Sequence, residues 1–156
     1  MIIKLNETLF KPIFLALFDW AISTPNNVPR LAVFYRTLEA LSDKLKAISI
    51  PYFGYVLDNS IELLSTQFVN NDNVHHNQLF RFLVSSLYRC FLYDTDGFIN
   101  KEKFDKLLPV LVLQLESVED NSEEYEDRML NYLIPCLAQL AVCVGNDVSL
   151  IKIATY

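Results

Sequence analysis

Residues 100–118 read NKEKFDKLLPVLVLQLESV, and within them Phe104, Leu108, Leu111, Leu115 and Val118 recur at alternating steps of four and three. A helix turns by about 100° per residue, so this spacing sets the five side chains on one stripe. The alternation of a half-buried strand is missing. The stretch predicts an amphipathic helix opening at Asn100, a capping residue, with a kink at Pro109, which lacks an amide hydrogen.

The same spacing extends in both directions. Upstream, Leu9, Phe10, Ile13, Phe14, Leu17 and Phe18 form a stripe on a helix starting near Asn6 and ending around Trp20, whose indole is expected between helices. A second helix runs from Pro29 to Ile48 with Leu31, Phe34, Tyr35, Leu38, Leu41 and Leu45 inward, after a turn at Pro25-Asn26-Asn27. The third is expected to start at Ser49-Ile50-Pro51, capped by Ser49, and to carry Phe53, Leu57, Ile61 and Leu64. Residues 70–77 break the pattern. Leu79, Phe80, Leu83, Leu87, Cys90 and Phe91 define a fourth helix ending near Tyr93, where Asp94-Thr95-Asp96-Gly97 supplies a turn. The sixth opens with Asn121 and Glu124 at capping-box spacing, is kinked by Pro135, and ends near Val144 before Gly145-Asn146. A short last helix is expected over Val148 to Ile153.

Helix starts near residues 7, 30, 51, 77, 101 and 123 make a two-helix unit of about forty-five residues, the period of HEAT and armadillo arrays. The fold class is therefore all-α, a HEAT-like α-solenoid fragment of about three antiparallel helix pairs, in one region over residues 1–156. The sixth helix is apolar almost all round and needs neighbours on more than one side. Three pairs would leave end faces bare, so the chain is expected to be part of a longer array.

Composition removes several functions. The three glycines, Gly54, Gly97 and Gly145, are each more than forty residues apart, so no phosphate-cradling loop or nucleophile elbow can be built. A net charge of -6 repels polyanions and disfavours a dedicated nucleic-acid module. Cys90, Cys136 and Cys143 fall in helix interiors, and an odd count without a secretion signal fits buried thiols in a reducing compartment. The uncharged run from Met129 to Asn146 is long enough to graze a bilayer's thickness, but Asn131, Pro135, Gln139 and Asn146 argue for a buried core helix and no membrane.

Few residues could carry chemistry. Asp94-Thr95-Asp96-Gly97-Phe98-Ile99 imitates a calcium loop, yet with Gly97 at the sixth position the first ligand would be Leu92 and the twelfth Lys103. The loop therefore lacks its acidic ligands. His75 and His76 diverge if helical and could approach Asp72 only in a loop, with no further ligand nearby. No Cys–His or Ser–His–Asp spacing implies catalysis. No catalytic, cofactor or metal residues are expected, and no enzyme. Glu116, Glu119, Asp120, Glu123, Glu124, Glu126 and Asp127 form an acidic run without a base, read as a solvated inter-helix loop with docking to a basic partner as the alternative. Lys101, Lys103 and Lys106 are too few to argue RNA binding.

Four blocks carry a resemblance. They are Leu5-Asn6-Glu7-Thr8-Leu9-Phe10-Lys11-Pro12-Ile13-Phe14 running on to Leu17-Phe18-Asp19-Trp20-Ala21; Arg30-Leu31 through Phe34-Tyr35 to Lys44-Leu45-Lys46; Leu87-Tyr88-Arg89-Cys90-Phe91-Leu92-Tyr93-Asp94-Thr95 with Phe98-Ile99; and Leu133-Ile134-Pro135-Cys136-Leu137-Ala138-Gln139. Together the chain resembles the C-terminal HEAT-repeat region of the large nucleolar scaffolds of the small-subunit processome, in the t-UTP (UtpA) subcomplex associated with the U-three snoRNP. The resemblance implies a non-enzymatic scaffold in the nucleus and nucleolus that supports pre-rRNA transcription and processing. It implies as partners other t-UTP/UtpA subunits and processome proteins, with pre-rRNA or the U-three snoRNP in the same assembly. Two alternatives stand beside it: a HEAT-type adaptor outside ribosome biogenesis, and a calcium-binding protein using the Asp94 to Gly97 turn.

Overall fold

The computed structural model describes residues 7–66, 68, 73–116 and 123–145. Among these every regular element is helical: α1 (Glu7–Ile22), α2 (Val28–Leu45), a 3-10 stretch (Lys46–Tyr52), α3 (Phe53–Thr66), α4 (Val74–Tyr93), α5 (Lys101–Glu116), and α6 (Glu123–Arg128) continued through a π turn (Met129–Leu133) into α7 (Ile134–Val144).

Polar residues fix several of the boundaries. Asn27 accepts from the Arg30 amide at 3.1 Å, Asn73 from His75 at 2.9 Å and Asn100 from Lys103 at 2.9 Å, each quieting a first-turn N–H that has no helical partner. Gly145 ends α7 at φ 63°, a left-handed conformation with little steric penalty for glycine, and its amide returns to the Ala141 carbonyl.

Helices two apart in sequence are the principal neighbours: α2 with α4, α4 with α7, and α3 with α5. Polar crossings between them share a nearly constant separation. Arg89 meets Asp43 across 46 residues, Ser86 reaches the Tyr35 carbonyl across 51, Gln114 the Leu64 carbonyl across 50, Arg128 meets Asn77 across 51 and Cys143 meets Asp94 across 49. Antiparallel neighbours would change their separation by two at each step, so α2, α4 and the α6–α7 helix run in the same direction. Consecutive helices do the reverse. Trp20, late in α1, meets Arg30, early in α2, whereas the earlier Phe14 meets the later Phe34. Antiparallel pairs stacked in parallel register are the arrangement of an α-solenoid.

One continuous core runs between the layers, with Phe34, Tyr35, Phe53, Leu83, Leu87, Phe91, Phe104, Leu111, Leu133 and Leu140 sealed from solvent. Aromatic rings bind the first pair into it: Phe18 lies 5.2 Å from Phe34, and Tyr52 packs edge-on to Phe10 at 5.0 Å. The Tyr35 hydroxyl satisfies itself inside this core against Asn59 (3.0 Å) and Ser60 (2.9 Å).

Several expectations are corrected. Helix α2 stops at Leu45 rather than Ile48, and α3 begins at Phe53. Lys46 takes a positive φ of 50° and ends α2, and the chain passes through a 3-10 segment before α3. Ser49 does not cap α3; its hydroxyl donates to the Lys46 carbonyl at 2.7 Å. On α1 only part of the expected stripe faces inward. Phe14, Phe18 and Ala21 are buried, while Leu9 and Ile13 are 57% and 60% exposed and Trp20 sits on the surface beneath Arg30. Leu115 is likewise exposed at the end of α5. Helix α4 starts at Val74, before the expected start near 77, placing both histidines in its first turn. Pro109 lies inside helix α5, as expected. At Pro135 the backbone adapts one turn earlier: the Ile134 amide bonds the Met129 carbonyl five residues back, forming the π turn. Asn6, Val118, Asn121 and the expected helix over Val148 to Ile153 lie outside the described residues.

Candidate interaction surface

The turn that imitates a calcium loop is a backbone cap. Asp94 accepts from the Phe98 and Ile99 amides at 2.9 and 2.8 Å, and the Cys143 thiol donates to it at 3.4 Å. Burial alone would raise this carboxyl, but those amides and the thiol outweigh it and hold it below the usual carboxylate range. Both oxygens thus serve the α4–α5 connection. Among the described residues no three His, Cys, Asp or Glu side chains converge as metal ligands. His75 and His76 are neighbours on α4 and diverge; Asp72 lies outside the described residues.

The cysteines are packing residues. Cys90 and Cys136 are buried and Cys143 is half-buried, all as thiols. Burial pushes all three up, Cys143 to about 12 with the Asp94 carboxylate adding to the effect. Nucleophilic catalysis needs the opposite shift. The Met129 to Asn146 run serves the core through Met129, Leu133, Cys136, Leu137, Leu140 and Ala141, and no described helix is long and apolar enough to cross a membrane.

The acidic run is not simply a loop. Glu123, Glu124, Glu126 and Asp127 lie on α6, and two of them clamp Arg81 of α4, Glu124 at 2.6 Å and Asp127 at 2.9 Å. Glu119 and Asp120 lie outside the described residues. A matching clamp joins α4 to α2, where Arg89 meets Glu39 at 3.1 Å and Asp43 at 2.8 Å. Burial raises the Glu39 carboxyl against the pull of Arg89. The lysine cluster is dispersed: Lys106 pairs with Glu102 at 3.0 Å and Lys103 lies over the Phe98 ring.

What remains is surface. Leu9, Ile13 and Trp20 expose an apolar row on α1, and Leu130, Ile134 and Val142 expose another on the last helix, at the opposite end of the stack. Between α4 and the π turn lies a pocket of about 330 Å³ lined by Ser85, Tyr88, Arg89, Asn131, Tyr132 and Pro135. Sequence reasoning missed it, because its two walls come from segments one repeat apart that no motif connects.

Parallel stacking of antiparallel pairs, with side-chain chemistry directed at neighbouring helices, defines a HEAT-type α-solenoid that presents surfaces. The chain belongs to the BP28CT (NUC211) domain family, whose profile matches residues 1–99. It is 34% identical over 94% of its length to HEAT repeat-containing protein 1 of Homo sapiens, covering 7% of that protein. It is 37% identical over 93% of its length to U3 small nucleolar RNA-associated protein 10 of Schizosaccharomyces pombe, covering 9% of it. To the protein of the same name in Debaryomyces hansenii it is 34% identical, over 94% of this chain and 8% of that one. The chain therefore spans less than a tenth of these relatives' length, and none of the three names denotes a catalytic activity.

Proposed function

We propose that this chain is one region of a longer HEAT-type array that works as a non-enzymatic scaffold in small-subunit processome assembly, supporting pre-rRNA transcription and processing. The observation that carries the reading is the alignment of nearly the whole chain with proteins named for association with U3 small nucleolar RNA. The architecture is consistent with it: a stack of helix pairs offers extended faces, and function on such a fold resides in those faces. In this reading the partners are other t-UTP/UtpA subunits and processome proteins, pre-rRNA and the U3 snoRNP belong to the same assembly, and the location is the nucleolus.

The test is affinity purification of the tagged full-length protein, with northern detection of U3 snoRNA and pre-rRNA and mass spectrometry of the bound proteins. Enrichment of both RNAs with processome proteins is the expected result. Recovery of transport or kinase complexes without either RNA would favour an adaptor outside ribosome biogenesis.

A further inference from the structure

We propose that the pocket between α4 and the π turn docks an extended peptide segment of a partner protein, one carrying a proline or small aliphatic anchor beside a lysine or arginine. The proposal deepens the scaffold reading and rests on it only in taking the partner to be a protein.

The walls are fixed before anything binds. Arg89 is held by Glu39, Asp43 and the Ser85 carbonyl, the last at 3.2 Å. Asn131 donates to Asp127 at 2.7 Å, and the Tyr132 ring lies beneath the Arg81 guanidinium, 5.8 Å from its centroid. Side chains already immobilised lose little entropy on binding. The π turn contributes too, since the added residue per turn reorients Asn131 and Tyr132 relative to the regular helix that follows.

The lining suits a peptide. The rings of Tyr88, Tyr132 and Pro135 offer apolar walls, and a volume of about 330 Å³ accommodates an anchor side chain or two. Among the described residues the hydroxyls of Ser85, Tyr88 and Tyr132 have no hydrogen-bond partner, and a hydroxyl can donate or accept. An extended backbone presents one donor and one acceptor per residue, which such groups can meet.

Charge selects the partner. Each rim shares one guanidinium between two carboxylates, Arg81 with Glu124 and Asp127, and Arg89 with Glu39 and Asp43, leaving a formal excess of one negative charge per rim. On the α2 side Arg36, stacked over Phe82, offsets this excess. The α6 side is the more negative, with Glu123 and Glu126 adding to it. A cationic residue flanking the anchor toward α6 is attracted, whereas a phosphate backbone is repelled by this rim and by the net charge of -6.

The test uses the whole chain and fluorescence anisotropy with three labelled probes: the peptide GKLPKLPKLG, its glutamate counterpart GELPELPELG, and a ten-nucleotide oligouridylate. Saturable binding of the lysine peptide alone is expected. Ser85→Trp, which fills the pocket from the solvent side of α4, is expected to weaken it by about tenfold or more. Asp127→Asn is expected to weaken it less and to flatten its salt dependence. Ser65→Trp, at an exposed position of α3 outside the pocket lining, is expected to bind as the parent does. No saturable peptide binding, equal binding of both peptides, binding of the oligouridylate alone, or indifference to a folded Ser85→Trp would each overturn the proposal. Because the assay needs no processome component, its failure leaves the purification result untouched, and the reverse holds.

Discussion

Gln114 offers the sharpest test of how the stack is held. Its side chain is inaccessible on α5, and its amide donates to the Leu64 carbonyl of α3 at 2.6 Å and to Val110 at 3.2 Å. Leu64 lies in the last turn of α3, where the four-residue helical partner falls beyond Thr66. Gln114→Met retains the unbranched shape and fills the space but removes the donor. Leaving a buried acceptor without that donor costs about 1–3 kcal/mol, and at this chain length each kcal/mol lowers Tm by about 2–4 °C, so a fall of roughly 2–12 °C is expected. Two controls rank below it. Tyr35→Phe should cost about 0.5–1.5 kcal/mol, since Ser60 still donates to Val56 and half-buried Asn59 can turn to water. Ser86→Ala should cost about 0.5 kcal/mol, because its acceptors, the Tyr35 and Phe82 carbonyls, lie inside helices. Urea titration followed by circular dichroism at fixed m reads all three. If Gln114→Met is as stable as the parent, or the order inverts, hydrogen bonding does not lock α3 to α5.

Glycine substitutions should act with opposite signs. Gly145→Ala, at φ 63°, is expected to lose about 1 kcal/mol, whereas Gly54→Ala, whose added methyl meets only Phe98 at 3.9 Å, should gain up to about 0.5–1 kcal/mol; thermal melts compare them. The Asp94 carboxyl is depressed in the fold, so its contribution is fully present above the unfolded value near about 3.9 and is lost as pH falls through the lower folded value. Asp94→Asn should therefore be less stable at pH 6, with the gap closing below about pH 4 in acid titrations. Finally, with all three thiols raised, Ellman's reagent at pH 8 should label Cys90 and Cys136 only on unfolding and Cys143 slowly; rapid native labelling of Cys136 would contradict its burial.

Among the described residues, helix order and the forty-five-residue unit were legible because the apolar spacing of α4 and α5 is clean, a glycine turn separates them and α5 opens on the Asn100 cap, whereas the Asn73 cap of α4 fell in a stretch read as a break. The inward face of α1 was not legible. Its apolar residues surround most of the helix, and periodicity alone cannot say which row meets α2; the rings of Phe34 and Tyr52 select Phe14 and Phe18, leaving Leu9 and Ile13 outside. The acidic run misled for a related reason. A helix opening near residue 123 was expected, but nothing local shows that Arg81, some forty residues earlier, gives Glu124 and Asp127 a cross-helix partner. The pocket is formed by the same offset and left no local signal.

That offset also decides where many of the polar side chains of the described residues are used. When helix n meets helix n+2 across 43 to 51 residues, several polar side chains find partners in a neighbouring repeat, as Arg81, Arg89 and Arg128 do. Such contacts consume functional groups to hold register. They also make cohesion a matter of neighbouring pairs, so that the outermost helices, α1 and α6–α7, retain exposed apolar side chains such as Ile13, Leu130 and Val142. A fold that converges its polar groups on one cavity can concentrate reactivity there. One that spends them between successive layers is left with its exposed rows and the shallow clefts between helices, and recognition is the work such features can do.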